Sequence, residues 1–130
     1  MQEKVAACGA AGGISAGLHA FCGAKLRSGS DLIFDCLNMD EAIRSSDILI
    51  TGEGRIDSQS SFGNAPYVLA QKAKQSGKRV FAVCGSSENL PNSLFERVFP
   101  IKKDNQSQSE AMRLARTNLE DAVFEIQRWI

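Results

Sequence analysis

The sequence predicts an α/β fold: a three-layer arrangement around a small parallel sheet, with Rossmann-like βαβ units and a C-terminal amphipathic helix. Three observations carry this. Continuous apolar runs, Ile48-Leu49-Ile50 and Val80-Phe81-Ala82-Val83-Cys84, lack the polar alternation of a half-exposed strand, so both faces are expected to be buried. A helical stretch separates them, as a parallel crossover requires. Ala115, Leu119, Ala122, Val123, Ile126 and Ile130 recur at three and four residues, which predicts one apolar helical stripe.

Taken in order, residues 5–25 are rich in Gly and Ala. Cys8 to Gly13 reads as a loop, and Ser15 to Lys25 as a tightly packed helix with Leu18, Phe21 and Cys22 on one side. Leu26 to Gly29 is a turn. Ser30 or Asp31 can cap a second helix running to Leu37, and Asp40 a third over Glu41 to Arg44, because their side chains accept from first-turn amides. Asp47–Thr51 is a strand and residues 52–63 a polar, mobile loop. Ala65–Gln75 is a helix with Pro66 in its first turn, where a missing amide costs nothing, and Gly77 stops it. Arg79–Cys84 is a second strand and Arg97–Ile101 a third, which Pro100 places at an edge. Residues 102–108 read as polar and mobile. The whole chain, 1–130, is a single α/β unit, with a helical segment over 1–45 and a βαβ portion over 46–130. Three parallel strands with two open edges form a small sheet, which points to a larger assembly.

Bulk composition narrows the function. The 130 residues carry 15 basic and 15 acidic side chains, so net charge is zero. Nucleic-acid binding relies on clustered positive charge and is not expected. No apolar run is long enough to span a bilayer, and no signal-peptide pattern is read at the N-terminus, so a cytoplasmic location is expected. Cys8, Cys22, Cys36 and Cys84 form no C-x-x-C pair, and the lone His19 completes no zinc spacing with them. They read as free thiols, mostly in core positions.

The chemistry concentrates in Thr51-Gly52-Glu53-Gly54-Arg55-Ile56-Asp57. This segment follows a buried strand, and in open α/β sheets ligands bind beyond the carboxyl ends of strands. Carboxylates can hold Mg²⁺ or accept a proton, and a guanidinium can offset phosphoryl charge. The bland alternative is a solvated loop with a local ion pair worth under about 1 kcal/mol. Gly85-Ser86-Ser87 ends the neighbouring strand and suits an anion or a hydroxylated ligand, though it is also a common turn. Gly12-x-x-x-x-Gly17 lacks the Lys-Ser/Thr of a Walker loop. It is either a close-packing helix entry or a set of amides available to an anion. No Ser–His–Asp arrangement is visible.

Together these motifs resemble the type I glycerate kinases. The carrying residues are Gly9 to Leu18, Leu26 to Leu32, Asp47 to Gln59, Gly63-Asn64-Ala65-Pro66 and Val83-Cys84-Gly85-Ser86. The resemblance implies ATP-dependent phosphorylation of D-glycerate with Mg²⁺, in a larger two-domain α/β kinase of which this chain is the C-terminal portion. It implies glycerate and ATP as small-molecule partners; the under-covered three-stranded sheet points to a second copy or a complementing N-terminal chain as a macromolecular one. The catalytic residues it points to are Glu53, Arg55 and Asp57, with Glu53 and Asp57 as Mg²⁺ ligands or orienters of the glycerate hydroxyl. Arg55 would meet the glycerate carboxylate or a phosphate, and Gly12, Gly13, Ser58 and Ser86 would bind substrate or phosphate. Asn64 stands where the family pattern usually has lysine, and an amide cannot neutralise an anion. The alternative is a non-catalytic glycerate- or nucleotide-binding module, or a structural subunit.

Overall fold

A computed structural model describes residues 9–57, 64–88 and 94–130. The chain divides into two compact units, residues 1–39 and 40–130.

In the first unit a 3-10 turn, Ala10–Gly13, leads into helix α1, Ile14–Cys22. Ala11, Gly12 and Gly13 all have positive φ, of 50°, 68° and 93°. Such a left-handed stretch suits glycine, and Ala11 is the residue that departs from the rule. The expected tight packing of α1 is not seen: none of its residues is buried, and Phe21 is 90% exposed. Helical spacing marks an apolar stripe but says nothing about what covers it. Helix α2 spans Gly29–Cys36. Its cap is Ser28, whose hydroxyl accepts from the Asp31 amide at 3.5 Å, rather than Ser30 or Asp31. Ser30 Oγ instead meets Ser28 Oγ at 2.8 Å, and Asp31 lies in the first turn, where its charge suits the helix dipole.

Helix α3, Met39–Ser45, leads into the second unit. This unit holds a parallel sheet in the order β1-β2-β3, made of Ile48–Ile56, Arg79–Ser87 and Arg97–Pro100. Between β1 and β2 runs helix α4, Ala65–Gln75, which packs on both strands and buries Ala70 and Ala73 completely. Gly77, at φ 72°, ends the crossover, as its sequence position predicts. After β3 come α5, Gln108–Arg113, and α6, Ala115–Ile126. Phe81 and Phe99 meet Ala122 and Ile126 of α6 in one core cluster. Ala82, Cys84 and Ile56 form another, joined by Phe95 and Val98. Neighbours along a strand face opposite sides, so Phe81 and Ala82 fill different layers. Both are fully buried, as a strand covered on both faces must be.

The predicted C-terminal stripe is only partly right. Ala122 and Ile126 are buried, whereas Leu119, Val123 and Ile130 are exposed. The polar Asn118 takes a place in the buried face, because Gln106 satisfies its amide: Asn118 Nδ2 donates to Gln106 Oε1 at 2.9 Å. That same Gln106 oxygen accepts from the Lys103 amide at 3.1 Å. Segment 102–107, expected to be mobile, is therefore tethered to α6, and Ser107 and Glu110 form a capping box that starts α5.

The largest departure from expectation is the length of the first two strands. Pairing continues to Arg55↔Ser86 and Ile56↔Ser87, so residues 52–56 are strand and not loop. Glycines make this possible. A Cβ on Gly52 would lie 2.9 Å from the Val83 carbonyl oxygen, and one on Gly85 would run into the Gly54 carbonyl oxygen. Any side chain there would push the ladder apart. The rest of the expected loop, residues 58–63, lies outside the described residues.

The thiols are free, as expected for those described, but only Cys84 is a core residue; Cys22 and Cys36 are exposed. Cys8 lies outside the described residues. Burial pushes the Cys84 thiol up from 9.0 to about 11, against weaker lowering by hydrogen bonds with Ser87 and the Ile56 backbone.

Two outcomes follow. Gly85→Ala should cost about 1–3 kcal/mol in urea denaturation, as overpacking does. Gly54→Ala, whose added methyl would meet nothing within 4 Å, should change stability by less than about 1 kcal/mol. Equal effects would contradict the close approach. For Cys84, the unfolded thiol ionises near 9 and the folded one near 11. Its contribution is thus intact below pH 9 and is lost as pH rises through about 11. Cys84→Ala should flatten that alkaline decline, and alkylation at pH 8 followed by peptide mapping should label Cys22 and Cys36 but spare Cys84.

Candidate functional site

The extended strands β1 and β2 carry the sequence-predicted residues to one edge of the sheet. Glu53 and Arg55 lie on the last turns of the β1 ladder, opposite Cys84 and Ser86 of β2. Asp57 is the first residue past β1. Glu53, Arg55 and Ser86 line a cavity of about 710 Å³. That volume lies within the usual range of small-molecule sites. Asp57 adjoins it through Arg55, whose Nε is 3.2 Å from Asp57 Oδ2. The other branch of the guanidinium reaches Glu88 Oε2 at 2.7 Å. Arg55 is thus held between two carboxylates, which fixes its direction and takes up much of its charge.

Glu53 is oriented from the α4 side. Asn64, the residue before α4, donates its Nδ2 to Glu53 Oε1 at 3.0 Å. Asn64 makes no capping hydrogen bond to the helix, so its side chain serves the carboxylate instead. An amide donor in that place orients Glu53 without adding positive charge.

Among the described residues, no three His, Cys, Asp or Glu side chains are grouped so as to hold a metal. Glu53 and Asp57 each carry a carboxylate that could hold Mg²⁺, an ion that commonly takes one or two protein carboxylates. Gly12 and Gly13 belong to the 1–39 unit and are described within it; their positive φ orients the turn before α1. Ser58 lies outside the described residues.

The cavity also contains residues that sequence reasoning missed. Its far wall comes from the β3–α5 region: Ile101, Lys102, Gln108, Ala111 and Met112. The Lys102 amide donates to the Gly85 carbonyl at 3.0 Å, and the Ile101 amide to Cys84 at 2.8 Å, which pins this segment beside the end of β2. One sequence signal was available. Ser107-x-x-Glu110 is a helix-start pattern, and it would have placed α5 and with it the far wall.

Several known proteins with similar sequences are named as glycerate kinases. The glycerate kinase family profile matches residues 1–130. A glycerate kinase of Halalkalibacterium halodurans is 39% identical over 95% of this chain and 33% of its own length. The glycerate 2-kinase of Escherichia coli is 48% identical over 65% of this chain and 22% of its own. A crystal structure from Salmonella typhimurium LT2, assigned as glycerate kinase 2, superposes with a TM-score of 0.62 at 32% identity, covering 95% of this chain and 34% of that one. The chain spans about a third of the length of these full-coverage relatives. By sequence along its whole length and by fold, the chain belongs to the glycerate kinase family.

Proposed function

We propose that this chain forms the C-terminal part of an ATP-dependent kinase that phosphorylates D-glycerate, and that the cavity at the ends of β1 and β2 is its reaction site. The observation that carries this reading is the convergence of Glu53, Arg55 and Ser86 on one cavity, with Asp57 tied to it through Arg55. In this reading Glu53 and Asp57 would each offer a carboxylate to Mg²⁺, which would supply charge neutralisation for the transferring phosphoryl group. Arg55 orients Asp57 and turns toward the glycerate carboxylate or a phosphate when substrate competes for it. Ser86 offers a hydroxyl at the end of β2.

The chemistry balances simply. The glycerate hydroxyl oxygen bonds to the γ-phosphorus, the bond to the bridging oxygen breaks, ADP leaves, and the hydroxyl proton passes to a site carboxylate. Gly12 and Gly13 would supply amides to an anion, and Ser58 a further hydroxyl. A separate N-terminal chain or a second copy would complete the two-domain enzyme.

A second reading has its own support. Asn64 gives Glu53 a neutral partner, which favours a module that binds glycerate or nucleotide without turnover. One assay separates the two. Within an otherwise complete two-domain enzyme supplied with Mg-ATP and D-glycerate, the chain should support formation of ADP and phosphoglycerate in equal amounts. Asp57→Asn should lower that rate by about 10²-fold or more, as loss of a positioned acid–base group does, with little change in melting temperature. Ligand-dependent stabilisation without product would favour the binding module, and undiminished turnover by Asp57→Asn would remove Asp57 from the mechanism.

A further inference from the structure

The glycerate-sized reaction site leaves most of the cavity unexplained. Glycerate is small and polar throughout, yet one side of the cavity is apolar: Ile101, Ala111, Met112 and Ala115. Met112 is 70% exposed there, which is costly for a large apolar side chain with no partner. Methionine is flexible and polarizable, and its sulfur packs well against flat rings. Lys102 lines the same cavity.

The neighbouring cations are already engaged. Arg55 is shared between Asp57 and Glu88, and Lys103 Nζ sits 2.7 Å from Asp121 Oδ2. Lys102 makes no ion pair among the described residues. Its backbone is nevertheless fixed, because its amide bonds to the Gly85 carbonyl beside Ser86. A lysine on a fixed backbone and an apolar lining in the same cavity describe a ligand with an anionic end and a flat, weakly polar body.

Resting on the kinase reading above, we propose that this wall is the nucleotide half of the site. The base of a nucleoside triphosphate lies against Met112 and Ala115, and Lys102 binds the phosphates as the charge that Asn64 does not supply. Glu53 on the opposite wall repels bare phosphate, so the Mg²⁺-bound nucleotide is the form that fits. Gln108, on the same wall, offers an amide to the ribose or base.

Calorimetric titration of the full chain with Mg-ATP, Mg-tripolyphosphate, adenosine and D-glycerate tests this. Lys102→Met should weaken ATP and tripolyphosphate about tenfold or more and leave adenosine unchanged, while Lys102→Arg should restore most of the loss. Met112→Ser should weaken ATP and adenosine several-fold and leave tripolyphosphate unchanged. Both positions are partly or largely exposed, so amide spectra should show each variant folded. If wild type binds ATP and neither variant differs from it, this assignment is overturned while the kinase reading stands. Loss of D-glycerate binding alone in Lys102→Met would also overturn it and would place the lysine at the acceptor. If wild type binds neither ATP nor D-glycerate, both readings fall together.

Discussion

The near contact of β1 and β2 at Gly52, Gly54 and Gly85 is the constraint on which the site depends. Parallel strands usually end where their buried apolar runs end, and here that would be near Thr51 and Cys84. Side chains at Gly52 and Gly85 would meet backbone carbonyl oxygens of the opposite strand, so glycine lets the ladder continue. The added length changes what the polar residues are. Glu53 and Arg55 become members of a sheet edge, held by backbone pairing, instead of residues of a loop. Groups held on a strand lose less freedom when they engage a ligand than groups on a loop.

From that edge, short polar contacts set each functional group. Asn64 holds Glu53, and Asp57 and Glu88 hold Arg55. These contacts are exposed and each adds little to stability. Their effect is on direction. The opposing wall is set by a different device, the part-buried Asn118–Gln106 amide pair, which ties segment 102–107 to α6. That tie places α5 and Met112 across from the sheet edge. The β3–α5 connection thus belongs to the site as much as the charged strand does.

Much of this was legible in the residues. The apolar runs at 48–50 and 80–84 gave the parallel strands, Pro66 and Gly77 bracketed α4 correctly, and Pro100 marked an edge strand. The charged segment at 53–57 was singled out for its position after a buried run, and the structure carries it at the end of β1. What failed was the strand end. Glycine and charge usually signal a loop, and nothing local in Gly52-Glu53-Gly54 says that another backbone passes close by. Likewise, Ala115 to Ile130 looked like one buried stripe, but Asn118 replaced Leu119 in the core because a distant Gln106 could satisfy it. Long-range hydrogen bonding and close backbone approach are not encoded in periodicity. The place of Lys102 beside β2 was hidden for the same reason: Gly85, whose carbonyl accepts from its amide, is remote in sequence.

The most direct test is an amide NMR titration of the chain with Mg-ATP and then D-glycerate. The account predicts saturable shifts at residues 53–57 and 85–88 with both ligands, and at 102 and 108–115 chiefly with the nucleotide. Saturable shifts confined to other parts of the chain, or none at millimolar ligand, would contradict it and leave the sheet edge as a structural feature of a family member with no binding role of its own.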